Sequence, residues 1–155
     1  MAGRMSRTSQ LWHDLMRTQG KIRHATRGLL VPLGLRGPGV PALRLIGQAG
    51  DEGLRLTDLA EGMTVSPARI TRLVDHLEAD GHVKRRPDPD DRRALRVVLT
   101  ARGAKLEVKL RPIMAEFSDK LLSALTKTEQ AQLQDYLQRL AERADELDQQ
   151  AREAE

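Results

Sequence analysis

The 155-residue sequence contains no cysteine, which removes disulfide staples, thiolate metal sites and cysteine-based redox switching together. Nothing points to an oxidising compartment. Long apolar runs are missing too: the longest, GLLVPLGL (Gly28 to Leu35), is broken by Pro32 and Gly34, so neither a signal peptide nor a membrane span fits. A soluble cytoplasmic protein with no membrane partner is expected. The chain also lacks a phosphate-cradling glycine loop and a His-Glu-x-x-His motif, and its four histidines (His13, His24, His76, His82) stand far apart with no cysteine to complete a zinc site. No metal, cofactor or catalytic residue is expected, and the protein reads as something other than an enzyme.

Length places the chain at about one domain, enough to bury a core without covalent staples. The net charge is +4, and its distribution says more than its sum. Residues 1–50 carry eight Lys/Arg against one acid, residues 66–100 eight against six, and residues 101–155 nine against eleven. A basic excess of this kind suits a nucleic-acid partner, although a merely solvated basic face would look the same.

Helical spacing of Leu11, Trp12, Leu15, Met16, Ile22, Leu29 and Leu30 predicts a first helix over residues 10–30, which PLGLRGPGVP then breaks. ALRLIGQAG (42–50) predicts a short helix, GLRL (53–56) a brief strand, and TDLAEGM a second short helix with Thr57 as its cap. SPARITRLVDHLEADG is clearer. Ser66 is placed to cap, Pro67 to open and Gly81 to stop a helix whose apolar stripe is Ile70, Leu73, Val74 and Leu77. The period then changes to alternation: HVKRR (82–86) and the stretch carrying Leu95, Val97 and Leu99 predict a β-hairpin joined by the turn-rich PDPDD. Helical patterning resumes after Thr100, with a kink expected at Pro112. The last helix opens on a capping box, Thr126 and Glu129, and carries Leu133, Leu137, Leu140, Ala144 and Leu147 as a heptad seam that wants a partner helix.

A short helix, a turn at GMTVS, a longer helix and a hairpin describe a winged helix-turn-helix, whose second helix enters the major groove. The fold class is mainly α with a small β-hairpin. Arg69 is the detail that favours function over packing. It lies three residues past Ser66, where a stability-driven sequence would place Glu or Gln to close a capping box and complement the positive helix end. With Arg72 one turn on, that face suits guanidinium contact to guanine or phosphate, while Thr71 and the Ala68 methyl suit thymine methyls.

At these residues LTDLAEGMTVSPARITRLVDHLEADGHVKRRPDPDDRRALRVVLTARG resembles the DNA-binding core of the MarR (multiple antibiotic resistance regulator) family of transcription factors. The likeness lies in the leucine-rich recognition helix, LEADGHV, and the Asp-x-Arg wing ending in LT. It implies a homodimeric regulator, in most such proteins a repressor, on a pseudo-palindromic site in double-stranded DNA. Residues 1–40 and 101–155 would form dimerisation helices around a winged lobe at 41–100. DNA contacts would fall on Ser66, Pro67, Ala68, Arg69, Thr71 and Arg72, and the wing-tip arginine would be Arg93, supported by Asp91.

A carboxylate that holds the Arg93 guanidinium beforehand would reduce the rotamer entropy lost on the DNA, with Arg93 entering the minor groove. Asp88 and Asp90, between prolines, are expected to shape the turn through side-chain to backbone hydrogen bonds. Relatives of this type also bind small aromatic or anionic effectors, and by position Trp12, Met16, Phe117 and the Pro/Gly-rich loop at 31–41, which departs from the usual pattern, would line such a pocket. The absent cysteine excludes the thiol-oxidation mode of one branch of the family. The competing reading is a helical protein-binding adaptor that uses the winged lobe without specific DNA recognition.

Overall fold

The computed structural model describes residues 6–35, 38–91 and 93–154; Arg36 and Gly37, within the Pro/Gly-rich loop, lie outside them. The chain divides at Pro112 into two units, with one helix, α5 (Ala101–Leu122), running through the division and Pro112 inside it.

In the first unit, α1 spans Arg7–Leu30, opened by the Ser6 hydroxyl, which accepts from the Ser9 N–H. A tight turn at Val31–Leu33 follows, and α2 covers Gly39–Gln48. The sequence placed this helix's start three residues later; Val40 and Pro41 are helical because Pro at an opening turn forfeits no hydrogen bond. A two-residue strand β1 (Leu54–Arg55) leads directly into α3 (Leu56–Gly62). Thr57 is therefore inside the helix rather than its cap, and the cap position falls to Arg55, which gives no side-chain cap.

Helix α4 (Pro67–Ala79) follows a turn in which Thr64 takes a left-handed conformation, φ 52°. A non-glycine residue there is strained by about 1–2 kcal/mol. The turn is held by Thr64 N–H donating to Glu61 O and Val65 N–H donating to Ala60 O. Gly81, φ 73°, ends α4 as the sequence suggested. Strands β2 (Val83–Pro87) and β3 (Leu95–Leu99) pair antiparallel, Val83 opposite Leu99 and Pro87 opposite Leu95. β1 adds to the far edge of β3, giving a three-stranded sheet in the order β1-β3-β2.

The core of this unit is made by α2, α3, α4 and the sheet: Leu43, Ile46, Leu59, Ile70, Val74 and Val97 are fully buried. Burying each such side chain stabilises by about 1.5–3 kcal/mol. In the second unit, α6 (Lys127–Glu153) starts at a complete Thr126/Glu129 capping box, as expected, and contains no buried residue. Among the described residues no helix is long and apolar enough to cross a membrane.

Candidate nucleic-acid interface

The face that α4 turns away from the core is the one the sequence singled out. Ile70, Val74 and Leu77 anchor the helix, which leaves Ser66, Pro67, Ala68, Arg69, Thr71 and Arg72 exposed together at its N-terminal half. The Ser66 side chain caps nothing, and Pro67 has no N–H while the Arg69 N–H donates to Ser66 O at 2.9 Å, so the Ser66 hydroxyl and the Ala68 N–H are what the helix start offers an anion. Thr71 donates its hydroxyl to Pro67 O at 3.0 Å. Neither Arg69 nor Arg72 takes part in an ion pair among the described residues. Their neighbour Arg85 differs: it is held by Asp75 at 2.6 Å and by Glu78, ties that fasten β2 to the back of α4.

Beyond β2 the hairpin turns on a network that sequence reading resolved only in part. Asp88 does shape the turn, accepting the backbone N–H groups of Asp90 at 2.8 Å and Asp91 at 3.3 Å. Its buried carboxylate does more, accepting Arg55 Nε at 2.6 Å from β1 and Arg96 Nε at 2.8 Å from β3. The hydrogen bond from Arg55 is the main cause holding the Asp88 carboxyl well below the ordinary carboxylate range, against the opposing effect of burial. Asp90 turns its carboxylate toward Arg96 Nη2 at 3.5 Å.

Asp91 supports Arg93 differently from expectation. Its carboxylate accepts the backbone N–H of Arg93 at 2.9 Å, and no hydrogen bond or ion pair joins it to the guanidinium. Asp91 thus sets the backbone from which an exposed Arg93 side chain departs.

Trp12 and Met16 are exposed on α1 and Phe117 is half-buried on α5. They do not line the cleft of about 520 Å³ that opens beside His82, where the walls include Leu33, Arg102, Lys105, Leu106 and Lys109. Leu33 belongs to the Pro/Gly-rich loop that the sequence placed at a pocket, whereas Arg102, Lys105 and Lys109 went unnoticed. One signal was available: Arg102 and Lys105 stand near the start of α5, where a helix prefers acids, the same anomaly that drew attention to Arg69.

A helix-turn-helix with an exposed basic recognition face, flanked by a hairpin wing, is a winged-helix DNA-binding lobe. The MarR family model matches residues 40–95. The repressor YetL of Bacillus subtilis is 32% identical over 118 residues, covering 71% of each chain. Among solved structures, a mutant of Escherichia coli MarR in complex with operator DNA superposes at a TM-score of 0.78, 25% identical, over 84% of this chain and 93% of that one. CouR of Rhodococcus jostii, bound to p-coumaroyl-CoA, superposes at 0.77, 29% identical, over 89% and 96%. The chain belongs to the MarR family and is a DNA-binding transcriptional regulator; the adaptor reading finds no support among these relatives.

Proposed function

We propose that the protein is a cytoplasmic, homodimeric repressor that binds a pseudo-palindromic operator and releases it in response to a small effector. The observation that carries the DNA-reading part is the cluster of Ser66, Pro67, Ala68, Arg69, Thr71 and Arg72 exposed on one end of α4, its two arginines unpaired, with Arg93 exposed at the wing. In two copies, the recognition helices would read half-sites about one DNA turn apart, roughly 34 Å, and Arg93 would enter the flanking minor groove. Residues 1–40 and 101–155 would supply the dimer interface, which the exposed apolar residues of α1 and α6 support. The part played by an effector draws support from CouR, solved with p-coumaroyl-CoA. The assignment as a regulator rather than an enzyme rests on the family.

A gel shift on the DNA upstream of the protein's own gene, titrated with salt, tests this reading. A specific shift should appear, with log affinity falling linearly against log salt by about 0.9 for each phosphate neutralised. Absence of any shift specific to that DNA over random sequence would remove the operator reading.

A further inference from the structure

We propose that Thr64, in the turn between α3 and α4, contacts the DNA backbone through its hydroxyl, and that it stands there although it destabilises the lobe; the contact rests on the operator reading above. Among the described residues four glycines take a positive φ, and Thr64, at 52°, is the one other residue that does. A β-branched side chain is the type least suited to that region. The hydrogen bonds define the position. Thr64 N–H donates to Glu61 O at 2.9 Å and Val65 N–H to Ala60 O at 3.1 Å, the paired bonds of a Schellman end, in which the left-handed residue is usually glycine.

A glycine is present nearby, where stability has no use for it. Gly62 lies two residues earlier, inside the last turn of α3, where glycine weakens a helix relative to alanine. A Cβ there would meet only the Leu45 side chain, at 3.4 and 4.0 Å, so close packing does not require glycine at this position. Two further departures follow: the Ser66 side chain caps nothing, and Arg69 stands in a first turn that contains no acid, although the helix dipole favours one. Four local preferences are thus broken between residues 62 and 69. Broken preferences and backbone strain that cluster in this way belong to functional segments.

Thr64, Ser66 and Arg69 are all exposed, and among the described residues no hydrogen bond or ion pair engages their side chains. Two residues of chain span at most about 7 Å, so Thr64 borders the exposed end of α4 rather than lying apart from it. A hydroxyl on the turn, outside the helix that enters the groove, is suited to the phosphate backbone, where such side chains fix register without reading sequence. The two hydrogen bonds hold the turn, and threonine has one stiff side-chain torsion, so little freedom is lost when the hydroxyl meets DNA. Glycine would relieve the strain and remove the hydroxyl together.

Gel shifts on the operator at several salt concentrations, beside thermal unfolding of the full chain, test the assignment. Thr64→Gly should move the two readouts in opposite directions. Its unfolding temperature should rise by about 2–4 °C as the left-handed strain is relieved, and its operator affinity should fall about tenfold, the loss of a hydrogen bond to a charged acceptor. Thr64→Ser, which keeps the hydroxyl, should keep most of the affinity. Thr64→Val keeps the β-branch without the hydroxyl, and should lose affinity as the glycine variant does with no gain in unfolding temperature. Because the hydroxyl carries no charge, the slope of log affinity against log salt should match the parent in every variant. The loss should also be the same on operators altered in sequence. Unchanged affinity in Thr64→Gly, or Thr64→Val binding as tightly as the parent, would overturn the contact. Weakening on some sequences only would overturn it in favour of a base contact, and a lowered unfolding temperature in Thr64→Gly would overturn the destabilising role. The parent chain separates the two readings: no operator-specific shift by the parent removes the operator reading and this contact with it, whereas specific binding that survives Thr64→Gly unchanged removes this contact alone.

Discussion

The winged lobe and helix α6 are finished to different degrees. In the lobe, Leu43, Ile46, Leu59, Ile70, Val74 and Val97 come from separate elements and bury one another completely, so its apolar surface is satisfied by its own chain. Along α6, Leu137, Leu140 and Leu147 are each about half exposed and no residue is buried. The helix is locally well made, with its capping box and the Arg139–Asp135, Arg143–Glu146 and Arg152–Asp148 pairs. Such pairs add only about 0.2–0.5 kcal/mol each, and an amphipathic stripe normally covers itself against another element. The contrast separates two kinds of information: the lobe encodes a folded reading head, and α6 encodes an apolar stripe that, on the dimeric reading proposed above, a second chain would cover.

Charging the seam should produce the largest effect. Leu137→Asp with Leu140→Asp is expected to convert a dimer to monomer by light scattering, and to weaken operator binding by about 10²–10⁴, the advantage that linking two half-site readers confers. The lobe should keep its fold; a variant that remains dimeric would break the comparison. Core truncation should do the reverse. Ile70→Ala is expected to cost about 2–5 kcal/mol of stability in thermal or urea unfolding, with the stoichiometry of the folded protein unchanged.

How far each region was legible follows from the range of the interactions that form it. Helices α4 and α6 were readable because Pro67, Gly81, Thr126 and Glu129 act within a turn of the ends they define, although the Ser66 side chain gives no cap. The start of α3 was misplaced because Leu54 and Arg55 are drawn into extended pairing with Val97 and Arg96, some forty residues on, and a local cap signal at Thr57 cannot register that. The exposed face of α4 was legible from periodicity together with one electrostatic anomaly, Arg69. Asp88 was legible only as a turn residue: its hydrogen bonds to Asp90 and Asp91 are local, but Arg55, its partner at 2.6 Å, is 33 residues away. The His82 cleft was read only at the loop after α1, because its other walls, the turn after α4 and the start of α5, share no motif with that loop.

Within the lobe, wing variants should give smaller effects, graded by what each side chain holds. Arg93→Ala is expected to cost about 1–3 kcal/mol of operator affinity, with no change in unfolding temperature because the side chain is exposed. Asp88→Asn should lower both stability and operator affinity, since it breaks the tie among β1, β3 and the turn. Its pH signature has a definite sign. The native carboxyl lies below its unfolded value of 3.8, so its contribution is complete above that value and is lost as pH falls through and below it; Asp88→Asn should flatten the acid limb of the stability profile.

Asp91→Ala should be the mildest. It removes one hydrogen bond to the Arg93 backbone, worth about 0.5–1.5 kcal/mol, and so should weaken operator binding by less than Arg93→Ala does, although it deletes a negative charge from the wing. Combining the two substitutions decides the mechanism. If Asp91 acts only by fixing the backbone from which Arg93 departs, Asp91→Ala has little left to remove once Arg93 is alanine, and the double variant should bind operator about as weakly as Arg93→Ala alone. Additive losses, or tighter binding by Asp91→Ala, would mean that the acid acts on DNA independently of the arginine beside it.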